Sequence, residues 1–391
     1  HSIVVGTMLG KIEERALTTG GLREGDSIGM TRQAGLEGTA ILLAEHGDRL
    51  RQISGASFPP VDPDLTSGHW LLVSREALTA ARCSGVTALH DVTEGGVGEA
   101  LHEMATASGL HIEVERDSIP VLEETSAICS SLGLDPLGLI GSGSILVGCR
   151  KSGRNQVEAV FGEMGLPFEW IGEASRAEGG STTLPRFPRD ELIKTTVADS
   201  VEAVIFDMDG TLVDSSYDWP DIRRRLGVHG GSIIDDLNGL PEPERSRRWA
   251  ELESIENTAT ADAVVHAGVH DLLSLLRHHK MKTALVTNNT DANTKQLLDR
   301  LGLSFDVVLT RDAGFWKPSG EPIREAARQL GIAPTHCLGV GDSRYDILAC
   351  REAGLASVCV LHDGSGKQHG DADLHFEDIP SFVKFLRVVL R

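Results

Sequence analysis

The sequence predicts an α/β protein in two parts: an α+β domain over residues 1–197, then a doubly wound parallel sheet with a small helical cap over 198–391. Three observations predict this. From residue 201 onward, apolar strand-length runs at 203–206, 283–286, 307–309, 337–340 and 356–360 alternate with helical patterns at 271–279, 291–301 and 321–330. The first half mixes strands and helices without a repeating β–α unit. Between the two, the polar passage 178–181, Pro185, Pro188 and residues 190–200 read as a bridge, with the changeover near Val197.

A chain of 391 residues, 40% hydrophobic and 24% charged, is long enough for two cores and ordinary for a globular protein. No run approaches the ~18 apolar residues of a membrane span, and no basic stretch precedes an apolar leader, so a cytoplasmic protein is expected. The chain begins His1-Ser2 rather than with Met, which reads as a tag remnant or a piece of a longer product. A formal charge of −20 repels phosphate backbones and excludes nucleic acid as a partner, though not a small anionic substrate. The six cysteines show no C-x-x-C pair, and apolar neighbours such as Leu338 and Val340 mark them as buried thiols.

In chain order, residues 3–8 read as a strand, 20–26 as turns before a short extended run, and 37–45 as a helix. Residues 58–63 form a rigid proline-rich connection, 74–84 a helix and 86–89 a strand. The glycine-rich loop 91–98 leads into an amphipathic helix at 99–107, and strands follow at 111–115 and 144–147. Backbone N–H groups in that loop, around Asp91, Thr93, Gly95 and Gly96, can hold an anion or nucleotide with help from the helix dipole. Equally, the loop can be a turn that packs a helix on a sheet.

Asp91 to Val97, the helix after it, Ile119-Pro120-Val121 and Leu132 to Leu137 resemble the C-terminal domain of the aminoimidazole ribonucleotide synthetase family, nearest its hydrogenase-maturation branch. Val4-Val5-Gly6, Thr18 to Gly21 and Gly25-Asp26 resemble the segment entering that domain. The family's ATP-binding N-terminal domain has no counterpart in this sequence, and Ser142 stands where the maturation branch has Glu. The resemblance therefore implies a module that binds a nucleotide or a protein partner rather than a synthetase acting alone.

The chemistry concentrates after residue 206. Asp207 and Asp209 follow a buried strand one residue apart, so extended geometry puts both on one side. Like charges that close need a shared proton or a cation, which points to Mg²⁺ and phosphoryl transfer. Gly210 lacks the Cβ that would keep N–H groups from a phosphate oxygen. In parallel sheets reactive groups gather at the carboxyl ends of strands, and Thr287-Asn288, Lys317 and Asp342 fall there in order. Each has a plain alternative: Thr287 as a helix N-cap, Lys317 as a surface charge, residues 341–346 as a turn into a helix.

Phosphoryl transfer needs these types. Asp207 is the candidate nucleophile and Asp209 the acid, then base. Asp207, the Asp209 carbonyl and Asp342 suit Mg²⁺, with Asp346 supporting them from behind or orienting Lys317. Gly210, Thr287, Asn288 and Lys317 would meet the phosphate.

Asp207 to Thr211, Thr287, Lys317-Pro318 and Gly341 to Ser343 with Asp346 resemble the four motifs of the haloacid dehalogenase superfamily, over nearly all of 201–391. The second carboxylate, Asp209, resembles the phosphatase branch, and mutases share it. The resemblance implies a Mg²⁺-dependent phosphomonoesterase acting on a small phosphorylated metabolite through an aspartyl-phosphate. It also implies a helical cap at about 215–270, in which Arg223 to Arg225 and Arg245 to Arg248 read as a solvated face or as contacts to an anionic tail, and Trp219 and Trp249 as packing. The alternatives are a phosphomutase, a nucleotide- or partner-binding scaffold, or a synthetase completed by a separate domain.

Overall fold

Apolar strand runs build two six-stranded sheets, one in each of two units that change over between Ile193 and Lys194. The computed structural model describes residues 16–54, 71–176, 180–196, 200–215, 217–228, 232–362 and 372–390. The strand expected at 3–8, the connection at 58–63, part of the polar passage at 178–181 and the changeover at Val197 lie outside the described residues.

In the first unit, β1 (Ser27–Thr31), β2 (Val86–Val92), β3 (His111–Val114), β4 (Ser144–Cys149), β5 (Phe168–Ser175) and β6 (Ser181–Thr182) are ordered β2-β4-β1-β5-β3-β6. All neighbours are antiparallel except β3 and β6. Helix Gly96–Ser108 turns Val97, Leu101, Met104 and Ala105 into a core shared with Ile28, Met30 and Ile112. Its i, i+4, i+7 spacing puts these residues on one face. The expected loop 91–98 is shorter than the sequence suggested: β2 continues to Val92 and the helix begins at Gly96.

The second unit begins with β7 (Ala203–Phe206), buried along its whole length as the centre of a parallel sheet requires. A two-stranded ribbon of β8 (Val213–Asp214) and β9 (Val264–Val265) brackets an insertion of three helices, Trp219–Leu226, Ile233–Asn238 and Glu244–Asp262. Ile222, Leu226, Leu237 and Leu252 form the insertion's own small core, with Trp249 packed on it. Asp218 and Ser232 cap its first two helices. Then come β10 (Lys282–Val286), β11 (Val307–Leu309), β12 (Cys337–Gly341), β13 (Ala356–Val360) and β14 (Leu374–Phe376), in the order β11-β10-β7-β12-β13-β14, all parallel. Helices Asp291–Leu301 and Glu321–Leu330 match the sequence expectation residue for residue.

Phe206 sits level with Leu285 on one side and Val340 on the other. The residues just past these three strands therefore emerge side by side at one edge. Small residues let helices lie close to this sheet. At Gly339 an added Cβ would stand 2.1 Å from Cys350 Sγ on helix Arg344–Ala353.

Gly339→Ala is accordingly expected to destabilise the second unit by about 1–3 kcal/mol in denaturant unfolding. Adding Cys350→Ala should recover most of that loss in a double-mutant cycle.

Candidate active site

The site is assembled at the carboxyl edge of β7, β10 and β12. The Asp207 N–H donates to Val340 O (2.9 Å) and the Thr287 N–H to Leu309 O (3.0 Å), extending the sheet's pairing into both loops. At Gly210 the chain turns with φ +91°, a conformation costly for other residues. A Cβ there would also lie 2.5 Å from Asp342 Oδ2. The Gly210 N–H donates to Val213 O (2.8 Å), so its amide is spent on the turn rather than presented to a phosphate, as the sequence had suggested. Thr211, fully buried, donates its hydroxyl to Asp342 Oδ1 (2.7 Å) and has Asp207 Oδ2 at 3.3 Å.

Lys317 is buried, not a surface charge. Its Nζ contacts Asp207 Oδ1 and lies 2.6 Å from Asp346 Oδ1. Burial alone would lower the pKa of the amine, but Asp207 and Asp346 outweigh it and hold Lys317 charged. The other oxygen of Asp346 accepts from the Ser343 N–H (3.0 Å) and hydroxyl (2.5 Å), closing a capping box on helix Arg344–Ala353. The turn reading and the site reading of residues 341–346 are thus both realised. The Asn288 amide grips the Lys317 backbone in both directions, accepting from its N–H and donating to its C=O, each at 2.9 Å. That places Asn288 as a clamp on Lys317 rather than a side-chain donor to phosphate.

Asp207, Asp342 and Asp346 each offer an oxygen within 4.8 Å of the others. Burial, reinforced by Asp346, pushes the Asp342 carboxyl up to about 7. Burial also raises Asp207, against the opposing pull of Lys317 and with Asp346 and Asp342 adding to the push. Three carboxylates facing one ammonium lack a counter-charge, and an all-oxygen donor set suits a hard divalent cation such as Mg²⁺. The Asp209 carboxylate stands outside this cluster. It accepts from Ser215 Oγ (2.5 Å) and Asn289 Nδ2 (3.3 Å), and burial raises its pKa despite both bonds. Thr287 is buried and its Oγ1 accepts from the Asn289 N–H (3.1 Å); the N-cap of the next helix is Thr290, so the plain reading of Thr287 does not hold.

Above this floor lies a cavity of about 340 Å³ roofed by the helical insertion. Arg311 forks onto Glu256 (2.5 and 2.7 Å), joining the loop after β11 to helix Glu244–Asp262, and donates to Asn288 O (3.0 Å). The Arg311 guanidinium also lies over the Trp249 ring, 5.1 Å from its centroid. Arg224 and Arg225 pair with Asp221 and Glu251 on the outer surface, and Arg245 and Arg247 with Glu242 and Glu244, as solvated faces do. Arg223 differs: it lines the cavity, with Nη2 3.4 Å from Tyr345 Oη. Ser215, Tyr217, Glu256, Asn289, Arg311 and Tyr345 carried no sequence signal of their own. Only Asn289, beside Thr287-Asn288, lay within reach of the motif.

In the first unit, Asp91 and Thr93 are exposed while Gly95 and Gly96 are buried. The Gly95 N–H, at the start of helix Gly96–Ser108, donates to Asp190 Oδ2 (2.8 Å). A Cβ on Gly95 would meet Phe187 O at 2.8 Å, and one on Gly96 would meet Leu137 O at 2.4 Å. At Gly95 and Gly96 the chain's own carboxylate and close packing take up the turn, while Asp91 lies in strand β2 and Thr93 faces solvent.

His266 and His362 stack with centroids 3.5 Å apart, and His362 Nε2 donates to Thr211 O (2.9 Å). Burial, and secondarily His362, bring His266 down to about 4 against the pull of Asp214.

Residues 216–360 match the family model of the haloacid dehalogenase-like hydrolases, and residues 23–184 that of the AIR synthase related protein, C-terminal domain. A phosphoglycolate phosphatase of Chromobacterium violaceum is 30% identical over 216 residues, covering 48% of this chain and 97% of the relative. An uncharacterized hydrolase of Saccharomyces cerevisiae is 27% identical over 199 residues, covering 48% of this chain and 91% of the relative. In the first half, a protein of Methanocaldococcus jannaschii named for hydrogenase expression and formation is 29% identical over 168 residues, covering 42% of this chain. This chain spans about half of that relative, 47%. Among the described residues no helix is long and apolar enough to cross a membrane.

Two outcomes follow from the geometry. Glu256→Gln leaves the Arg311 charge buried without its counter-ion and should cost about 2–4 kcal/mol in denaturant unfolding, most of it recovered when Glu256→Leu is combined with Arg311→Met. The neutral His266 binds no proton in the folded state between its lowered pKa, about 4, and the unfolded value near 6.5. The unfolded chain does, so stability should fall as pH drops from about 6.5 towards 4 and level off below. For a half-buried ring the screened loss is about 1 kcal/mol, removed in His266→Gln.

Proposed function

Because the chain belongs, over its second unit, to the haloacid dehalogenase-like hydrolases, we propose that it is a Mg²⁺-dependent phosphomonoesterase that works through an aspartyl-phosphate on Asp207. The observation that carries this is the convergence of Asp207, Lys317, Asp342 and Asp346 from separate strand ends, with Asp209 held apart on its own hydrogen bonds.

An Asp207 carboxylate oxygen attacks phosphorus and the bond from phosphorus to the ester oxygen breaks. The leaving alkoxide takes the proton of Asp209, whose pKa burial raises above the ordinary carboxyl value. Water then attacks the phosphorus of the acyl phosphate and gives its proton to Asp209. The bond between phosphorus and Asp207 breaks, and inorganic phosphate leaves. Lys317 supplies fixed positive charge to the phosphoryl oxygens and Thr287 a hydroxyl, while Asn288 holds Lys317 at the right height. Asp207, Asp342 and the Asp209 backbone carbonyl would hold Mg²⁺, with Asp346 fixing Lys317 beside them. When bound, the ion neutralises the excess carboxylate charge and offsets the charge of the phosphate.

The cap relatives named for phosphoglycolate support a small phosphorylated metabolite as substrate. For the first unit the packed Gly95-Gly96 turn favours a protein-binding module over a nucleotide site, in keeping with a relative named for hydrogenase expression and formation.

Phosphate release from a panel of monoesters tests the reading. Chelation should abolish release and Mg²⁺ restore it. Asp207→Asn should lower kcat about 10³-fold or more, and Asp209→Asn by about 10²–10⁴-fold. Release that survives Asp207→Asn would overturn it.

A further inference from the structure

We propose that the alcohol half of the substrate is an aromatic carbinol, so that the preferred ester is an arylmethyl phosphate rather than one with a short acidic or polyol tail. This inference rests on the phosphatase reading above. A cavity of about 340 Å³ leaves room, once a phosphoryl group sits on the Asp207 floor, for one ring and its substituents.

The walls of that remaining space are mostly apolar. Ile233 and Ile234 enter from the second cap helix and Leu252 from the third. Tyr217 and Trp219 stand at the first, their rings 4.7 Å apart and tilted by 32°. Trp219 is 47% exposed at this cavity, a large aromatic surface that a ring would cover. Arg311 offers little to an acidic tail. It has both arms of its fork on Glu256, so the pair brings no net charge. A carboxylate would also lose water against Ile234 and Leu252. A polyol would leave hydroxyls unpaired on the same wall.

The test compares kcat/KM for benzyl phosphate, 2-phosphoglycolate and glycerol 3-phosphate on the full chain with Mg²⁺. All three release an alkyl alcohol, so leaving-group chemistry does not decide the order. Benzyl phosphate should lead by about tenfold or more, and Trp219→Ala should shrink that lead about fivefold or more, while Trp219→Phe retains most of it. A lead for either polar ester, or a benzyl lead untouched by Trp219→Ala in protein that still turns over, overturns the aromatic proposal and leaves the phosphatase standing. A lead for 2-phosphoglycolate that disappears in Arg223→Leu would assign the cavity to an acidic tail instead. Absence of any Asp207-dependent release from all three overturns the phosphatase reading and the aromatic proposal with it.

Discussion

A single buried ammonium, between Asp207 and Asp346 and with Asp342 close by, is the constraint on which the second unit's chemistry depends. Crowding three carboxylates together without it would leave like charges that nothing offsets. With it, one negative charge is balanced and two are left over. Burial, reinforced by Asp346, holds the Asp342 proton up to about 7, and the surplus charge gives the pocket an appetite for a divalent cation. Stability and chemistry pull in opposite directions here: the same surplus that burdens the folded state is what an incoming cation relieves.

The architecture keeps this arrangement narrow in its tolerances. Parallel pairing sets Phe206 level with Leu285 and Val340, so three loops leave the sheet side by side. Gly210 and Gly341 then remove the Cβ atoms that would collide with Asp342 and Asp346. Asp346 serves two masters, capping its helix with one oxygen and gripping Lys317 with the other. Through Asn288, Lys317 is also tied to Arg311 and so to Glu256 in the roof. Floor and roof are therefore joined by one continuous set of hydrogen bonds.

What could be read beforehand was whatever is local. Runs 307–309 and 356–360 are strands at those bounds, because apolar β-branched stretches between turns have few other uses in a doubly wound sheet. The motif residues after strands were legible because the sheet edge brings successive strand ends together whatever lies between. The strand Phe168–Ser175 was missed: Glu169 and Glu173, its two exposed positions, break its apolar pattern although β1 and β3 flank it. Glu256 and Arg311, 55 residues apart, gave no sign at all, since their meeting depends on how a helix of the insertion lands. Gly95 and Gly96 show the opposite failure. Glycine permits both an anion cradle and a tight packing turn, and only the arrival of Asp190 from 95 residues away decides between them.

All six cysteines are buried and outside any disulfide, three in each unit. Burial raises the thiols of Cys129 and Cys350 to about 12, so the reactive thiolate is scarce even before access is considered. Alkylating reagents therefore reach these sulfurs only when a unit breathes open, and the labelling rate becomes a clock for that opening. Because the two sets are equal in number and separately placed, the chain carries a built-in gauge for each half. A ligand that tightens one half alone would slow three of the clocks and leave the other three running.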